Sequence, residues 1–187
     1  MSFCPNRAQA LELFLKYNKS EALIRHAKHV SYVMARFARL FGEDPEKWGA
    51  VGILHDIDYE MYPEQHCVKA AEILRGAGVS EEYVRAVVSH GYGLASDVAP
   101  ESYMEKVLFT IDELTGLVYA ASLMRPSKSS LDMEYKSVLK KYKAPNFAAG
   151  VDRGVIEKGL EMIGKDLEFV ITETIEGIRE WERESAG

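Results

Sequence analysis

The chain has 187 residues, nearly half of them apolar, which is enough to bury one good-sized core, whereas two separate cores would each be small. A formal net charge of −6 and a pI near 5.5 leave no broad positive field to gather phosphate backbones, so general nucleic-acid binding is disfavoured. Two cysteines, Cys4 and Cys67, build neither a disulfide framework nor a thiolate zinc site by themselves, and a reducing cytoplasm is expected.

In chain order, helical periods are predicted over 6–17, 20–41, 45–57, 63–76, 80–90, 100–123, 132–142, 152–163 and 165–183. The first segment interrupts its apolar residues with Glu12, Lys16 and Lys19, unlike a secretory signal, and no apolar run approaches a membrane span. Ser20 and Asp44 suit N-caps, Pro45 suits a first helical turn, and Ser80 precedes two glutamates that favour the helix dipole. Gly42, Gly76 and Gly78 mark stops, and no stretch alternates for long enough to make a strand. The expected fold class is all-α, a compact multi-helix bundle forming a single domain over 1–187. The best break is Arg125 to Ser130, after which helices over 130–183 carry Ile156, Leu160, Ile163, Leu167, Val170, Ile171, Ile178 and Trp181 at spacings that return them to the same core.

An ionisable residue on the buried stripe of a helix is informative, because an unpaired buried charge is costly and needs a partner or a metal. His26 shares a stripe with Val30, Val33 and Phe37, while His29 follows Arg25, Tyr32 and Arg36 on a polar one, so His26 is expected inward and His29 outward. Trp48, Val51 and His55 share a side of the next helix, which ends in His55-Asp56-Ile57-Asp58. His66 aligns with Ala70 and Ile73, His90 with Tyr83 and Val87, and Asp112 lies beside Leu108, Ile111 and Tyr119. A lone histidine on an apolar face is more often a hydrogen-bonded core residue than a ligand. Four inward histidines with two carboxylates are another matter, since they match the nitrogen and oxygen chemistry of borderline divalent metals. Cys67 lies about 100° round the helix from His66 and is read as core.

These residues resemble the HD-domain superfamily of metal-dependent phosphohydrolases, whose pattern is a His, a His-Asp pair and a distant Asp. Here the order is His26, His55-Asp56 and Asp112, in the segments HAKHVSYVMARFA, AVGILHDID and VLFTIDELTGLV. The similarity covers about residues 20–125. His66 in EQHCVKAAEIL and His90 in VVSHGY are similar to two further histidines that many members use to hold a second ion. The resemblance implies that His26, His55, Asp56 and Asp112 hold one divalent ion (Fe, Mn, Co, Ni, Zn or Mg), and that Asp56, His66 and His90 hold another. The cyclic-dinucleotide branch has Gly and Lys where this chain has Asp58 and Tyr59, and its Gly-Tyr-Pro element is only partly echoed by Gly91-Tyr92-Gly93.

The function so implied is hydrolysis of a phosphate ester of a small molecule, a nucleotide first among candidates, by metal-activated water with Asp56 as the central catalytic group. Asp58 is a candidate for orienting a metal ligand from behind or for acting as general base, and Arg125 and Lys128 are candidate substrate-binding cations. Lys136, Lys140, Lys141 and Lys143 form a second basic cluster. Two alternatives stand beside this reading: a non-catalytic nucleotide-binding or regulatory module, and a diiron oxygenase. The expected partner is a small phosphorylated substrate, with no membrane and no general nucleic-acid binding, and a homodimer is the base-rate assembly.

Overall fold

The structure, a computed structural model, describes residues 2–187. Among the described residues it contains nine α-helices and no strand: α1 (Arg7–Tyr17), α2 (Glu21–Phe41), α3 (Pro45–Leu54), α4 (Val68–Gly76), α5 (Glu81–Ser89), α6 (Tyr103–Leu123), α7 (Tyr135–Tyr142), α8 (Arg153–Ile163) and α9 (Leu167–Ser185). The expected all-α class is what the chain adopts. None of these helices is long and apolar enough to cross a membrane.

Helix starts follow local chemistry. Ser20 and Asp44 cap α2 and α3 through their side chains, Pro45 opens α3, and Gly42 ends α2 in the left-handed region at φ 72°. Asn6 and Ser102 form capping boxes with Gln9 and Glu105. One apolar core draws on all nine helices, with Phe14, Met34, Phe37, Leu54, Leu108, Ile111, Leu114 and Leu117 fully buried.

α2 lies at the centre, packed by α3, α6 and α9. Gly52 lets α3 approach closely, since a Cβ there would stand 2.9 Å from Ser31 Cα on α2. Gly177 does the same for α9, where a Cβ would stand 2.7 Å from Val33 Cα. With α9 so close, the polar stripe of α2 is covered rather than solvated. Arg36 reaches Glu173 and Glu180, and Tyr32 reaches Glu184.

This packing overturns one expectation. His29, expected outward, is 1% exposed and wedged between Tyr119 of α6 and Trp181 of α9, with ring centroids 5.1 and 4.4 Å away. The α2 stripe was polar, but α9 brought an aromatic surface to it. Burial, aided by the positive charges of His26 and Arg25, pushes the His29 pKa down to about 3.

Two outcomes test this packing. Gly52→Ala should destabilise the protein by roughly 1–3 kcal/mol in urea unfolding, because backbone blocks the added methyl, whereas Gly76→Ala meets open space and should be neutral or stabilising. The second concerns pH. The unfolded chain protonates His29 near its ordinary value of 6.5, while the folded protein resists until about 3, so this stability is whole above 6.5 and is lost as pH falls. Between about pH 7 and about pH 5 the wild-type protein should lose on the order of 2 kcal/mol more than His29→Phe does.

Candidate metal centre

The centre begins where α3 stops. The helix was expected to run through Ile57, but it ends at Leu54 and residues 55–61 form a tight turn. The turn is strapped down from outside: Asn18 Nδ2 donates to the Ile57 carbonyl at 2.9 Å, and Glu60 Oε2 accepts the backbone N–H groups of Lys19 and Ser20. His55, fully buried, donates its Nδ1–H to the Gly52 carbonyl at 2.7 Å. A carbonyl only accepts, so the neutral ring carries its lone pair on Nε2. That atom lies 3.2 Å from Asp56 Oδ2 and 3.3 Å from Asp112 Oδ1, yet it is buried with no hydrogen-bond partner. From α2, His26 brings its Nε2 to 2.8 Å from Asp112 Oδ1.

A second group adjoins the first. His90, the C-cap of α5, donates Nδ1–H to the Val87 carbonyl, and His66 donates Nδ1–H to Asp58 Oδ1 at 2.8 Å. Their Nε2 atoms therefore face each other at 3.1 Å. Asp56 Oδ1 lies 3.5 Å from one and 3.6 Å from the other. Asp56 thus presents Oδ2 to the His55 side and Oδ1 to the His66 and His90 side.

His66 reaches this position because the helix expected over 63–76 is broken. A single 3-10 turn at Pro63–Gln65 is followed by His66 in extended backbone and by Cys67 at φ 69°, and α4 starts only at Val68. Cys67 provides no side-chain cap. Asp58 fills that place: its Oδ2 accepts the Ala70 N–H of the first turn at 2.8 Å while its Oδ1 holds His66. Asp58 is fully buried with one oxygen on His66 and the other on the Ala70 N–H, an arrangement that suits orienting His66 and leaves neither oxygen facing water as a general base would.

The electrostatics call for a cation. Burial by itself disfavours charge on His55, but Asp56 and Asp112 outweigh it and raise its pKa well above the ordinary value. Burial likewise opposes charge on His66, yet bonding to Asp58 and the neighbouring Cys67 thiol raise it to about 10. Burial alone would raise the pKa values of Asp56 and Asp112, but His55 and the other imidazoles hold both well below the usual carboxylate range. A buried Nε2 without a hydrogen-bond partner, two facing Nε2 atoms and two ionised carboxylates fit a nitrogen and oxygen donor set for a divalent metal. His26, His55 and Asp112 offer donor atoms within 4.8 Å of one another, as do His66, Cys67 and His90.

His26, Asp56, His66, His90 and Asp112 line a cleft of about 500 Å³, shared with Tyr59, Pro63, Leu94, Glu113 and Val151. Sequence reasoning missed Glu113, although it adjoins Asp112; its carboxylate accepts the Asp152 N–H at 3.0 Å, and burial and Asp112 raise its pKa to about 6. Val151 carries no signal in the sequence, since only the return of the C-terminal helices places it there.

Arg125 and Lys128 do not line the cleft, and the substrate role expected for them is corrected. Eleven residues of helical rise, about 16 Å, separate Asp112 from Leu123 at the end of α6, and Arg125 and Lys128 follow beyond it. Arg125 pairs instead with Asp132 at 3.0 Å and borders a separate hollow with Lys141. A larger hollow of about 700 Å³ between α4 and α5 shares Ala95 with this cleft.

The HD domain family matches residues 23–117, just over half of the chain, and the protein belongs to that family. Its members bind divalent metals and are generally metal-dependent hydrolases. No solved structure matches the chain.

Asp58→Asn tests the positioning of His66. The amide nitrogen cannot accept a hydrogen bond, so either His66 or α4 loses its anchor. Affinity for Mn²⁺ or Zn²⁺ in equilibrium dialysis should fall roughly 10–100-fold with helical content retained.

Proposed function

We propose that the protein is a metal-dependent phosphohydrolase that cleaves a phosphate ester of a small molecule, a nucleotide being the first candidate. The observation that carries this reading is the convergence of three Nδ1-anchored imidazoles on the two oxygens of Asp56. His26, His55, Asp56 and Asp112 would hold one ion, and Asp56, His66 and His90 a second. A divalent ion held there supplies Lewis acidity, making a water nucleophilic near neutral pH and neutralising phosphate oxygens.

The chain's own residues do the rest. The Gly52 and Val87 carbonyls and Asp58 each accept from Nδ1, so on His55, His90 and His66 alike Nε2 is the nitrogen left to face a metal. Asp56 lies where the two donor groups meet, the position from which a carboxylate orients an attacking water. Asp112 ties His26 to the same point across 86 residues of sequence.

The protein purified without chelators should carry a divalent metal and release phosphate from at least one member of a panel of nucleotides and simple phosphate esters. Chelation should abolish that release and added metal should restore it. Asp56→Ala should lower the rate by more than the roughly 10–100-fold typical of losing a supporting partner, while Arg125→Ala and Lys128→Ala should leave it unchanged. Oxygen consumption without phosphate release would favour a diiron oxygenase, and a metal-free, inactive protein a regulatory module.

A further inference from the structure

The cleft lacks one thing that polyphosphate sites need. Enzymes acting on di- and triphosphates clamp the extra phosphates with arginine and lysine. No lysine or arginine lines this cleft among the described residues, and the one carboxyl there apart from the candidate ligands is Glu113. Arg25 and Lys158, which are not among the cleft's lining residues, lie over aromatic rings, 4.7 Å from the centre of Tyr119 and 4.2 Å from that of Tyr92. Beyond its metal-binding end the cleft has no counter-charge for a second or third phosphate.

The mouth offers apolar surface instead. Tyr59 follows the Asp56 turn, is 46% exposed, and meets His66 edge-on with ring centroids 5.2 Å apart, which leaves part of its ring open. Leu94 stands 71% exposed in a tight loop after α5, where the Gly91 carbonyl accepts the N–H groups of Leu94, Ala95 and Ser96. Pro63 and Val151 complete this rim. An exposed leucine alone means little, but a leucine and a tyrosine on the rim of one concave site form a surface for a flat apolar group.

Resting on the phosphohydrolase reading above, we infer that the substrate is a monophosphate ester of an alcohol bearing an aromatic group, with the ring seated on Tyr59 and Leu94 and the single phosphate at the histidine and aspartate cluster. Di- and triphosphates of the same alcohol are poor ligands. Tyr59 and Leu94 are specificity-determining residues that act on the leaving alcohol, not on the phosphate.

The test uses the full chain loaded with Mn²⁺ and two non-hydrolysable probes, phenylphosphonate and methylphosphonate, titrated by calorimetry. The phenyl compound should bind about tenfold tighter, the size of one stacked ring. In the Tyr59→Ala, Leu94→Ala double variant that ratio should fall towards one with the methylphosphonate Kd unchanged; both side chains are exposed, and an unaltered Tm would show the fold intact. A parallel assay with metal in excess should show kcat/KM for a nucleoside monophosphate above that for the matching triphosphate. Equal Kd values for the two probes, a ratio untouched by the double variant, or preferred triphosphate turnover would overturn the inference while leaving the phosphohydrolase reading in place. If neither phosphonate binds and no ester is cleaved, both readings fall.

Discussion

A buried imidazole can offer a lone pair to a cation only if its other nitrogen is held by an acceptor, and this requirement organises the centre. His55 and His90 meet it in the same way. Each caps the C-terminus of a helix and donates back to a carbonyl three residues earlier, one of the groups that a helix end leaves without an intrahelical partner. The negative ends of α3 and α5 thereby point at the place where positive charge is wanted. His66 has no helix end behind it and uses a buried carboxylate instead.

The rest of the fold holds these ends in register. α2 presents His26 to Asp112 of α6, and Gly52 sets the spacing between α2 and the helix that ends at His55. The turn carrying Asp56 is tied to the α1–α2 junction through Asn18 and Glu60. On its other side α2 is sealed by α9, whose glutamates answer Arg36 and whose Trp181 covers His29.

Periodicity reveals what a helix does by itself and little of what its neighbours impose. His26, His55, His90 and Asp112 were legible because each follows an apolar stripe or ends one, and the family pattern joined them. His29 was misplaced because a stripe of Arg25, Tyr32 and Arg36 looks solvated until a helix some 140 residues later lies over it. The break before α4 was invisible because nothing in EQHCVKAA resembles a turn; a tertiary contact with Asp58 stops the helix there. Arg125 and Lys128 looked close to Asp112 in sequence, but the rise of α6 places them beyond its far end. The rim formed by Tyr59, Leu94 and Val151 joins three distant segments and has no linear signature.

Asp58 starts a helix with one oxygen and steers an imidazole with the other. Docking of that helix and completion of the second donor group are therefore a single cooperative event rather than two. A descendant of this protein that had no use for its second donor group could not simply discard the aspartate, because the fold would lose a helix start in the same step. The architecture thus favours retaining both halves of the centre for reasons that precede catalysis.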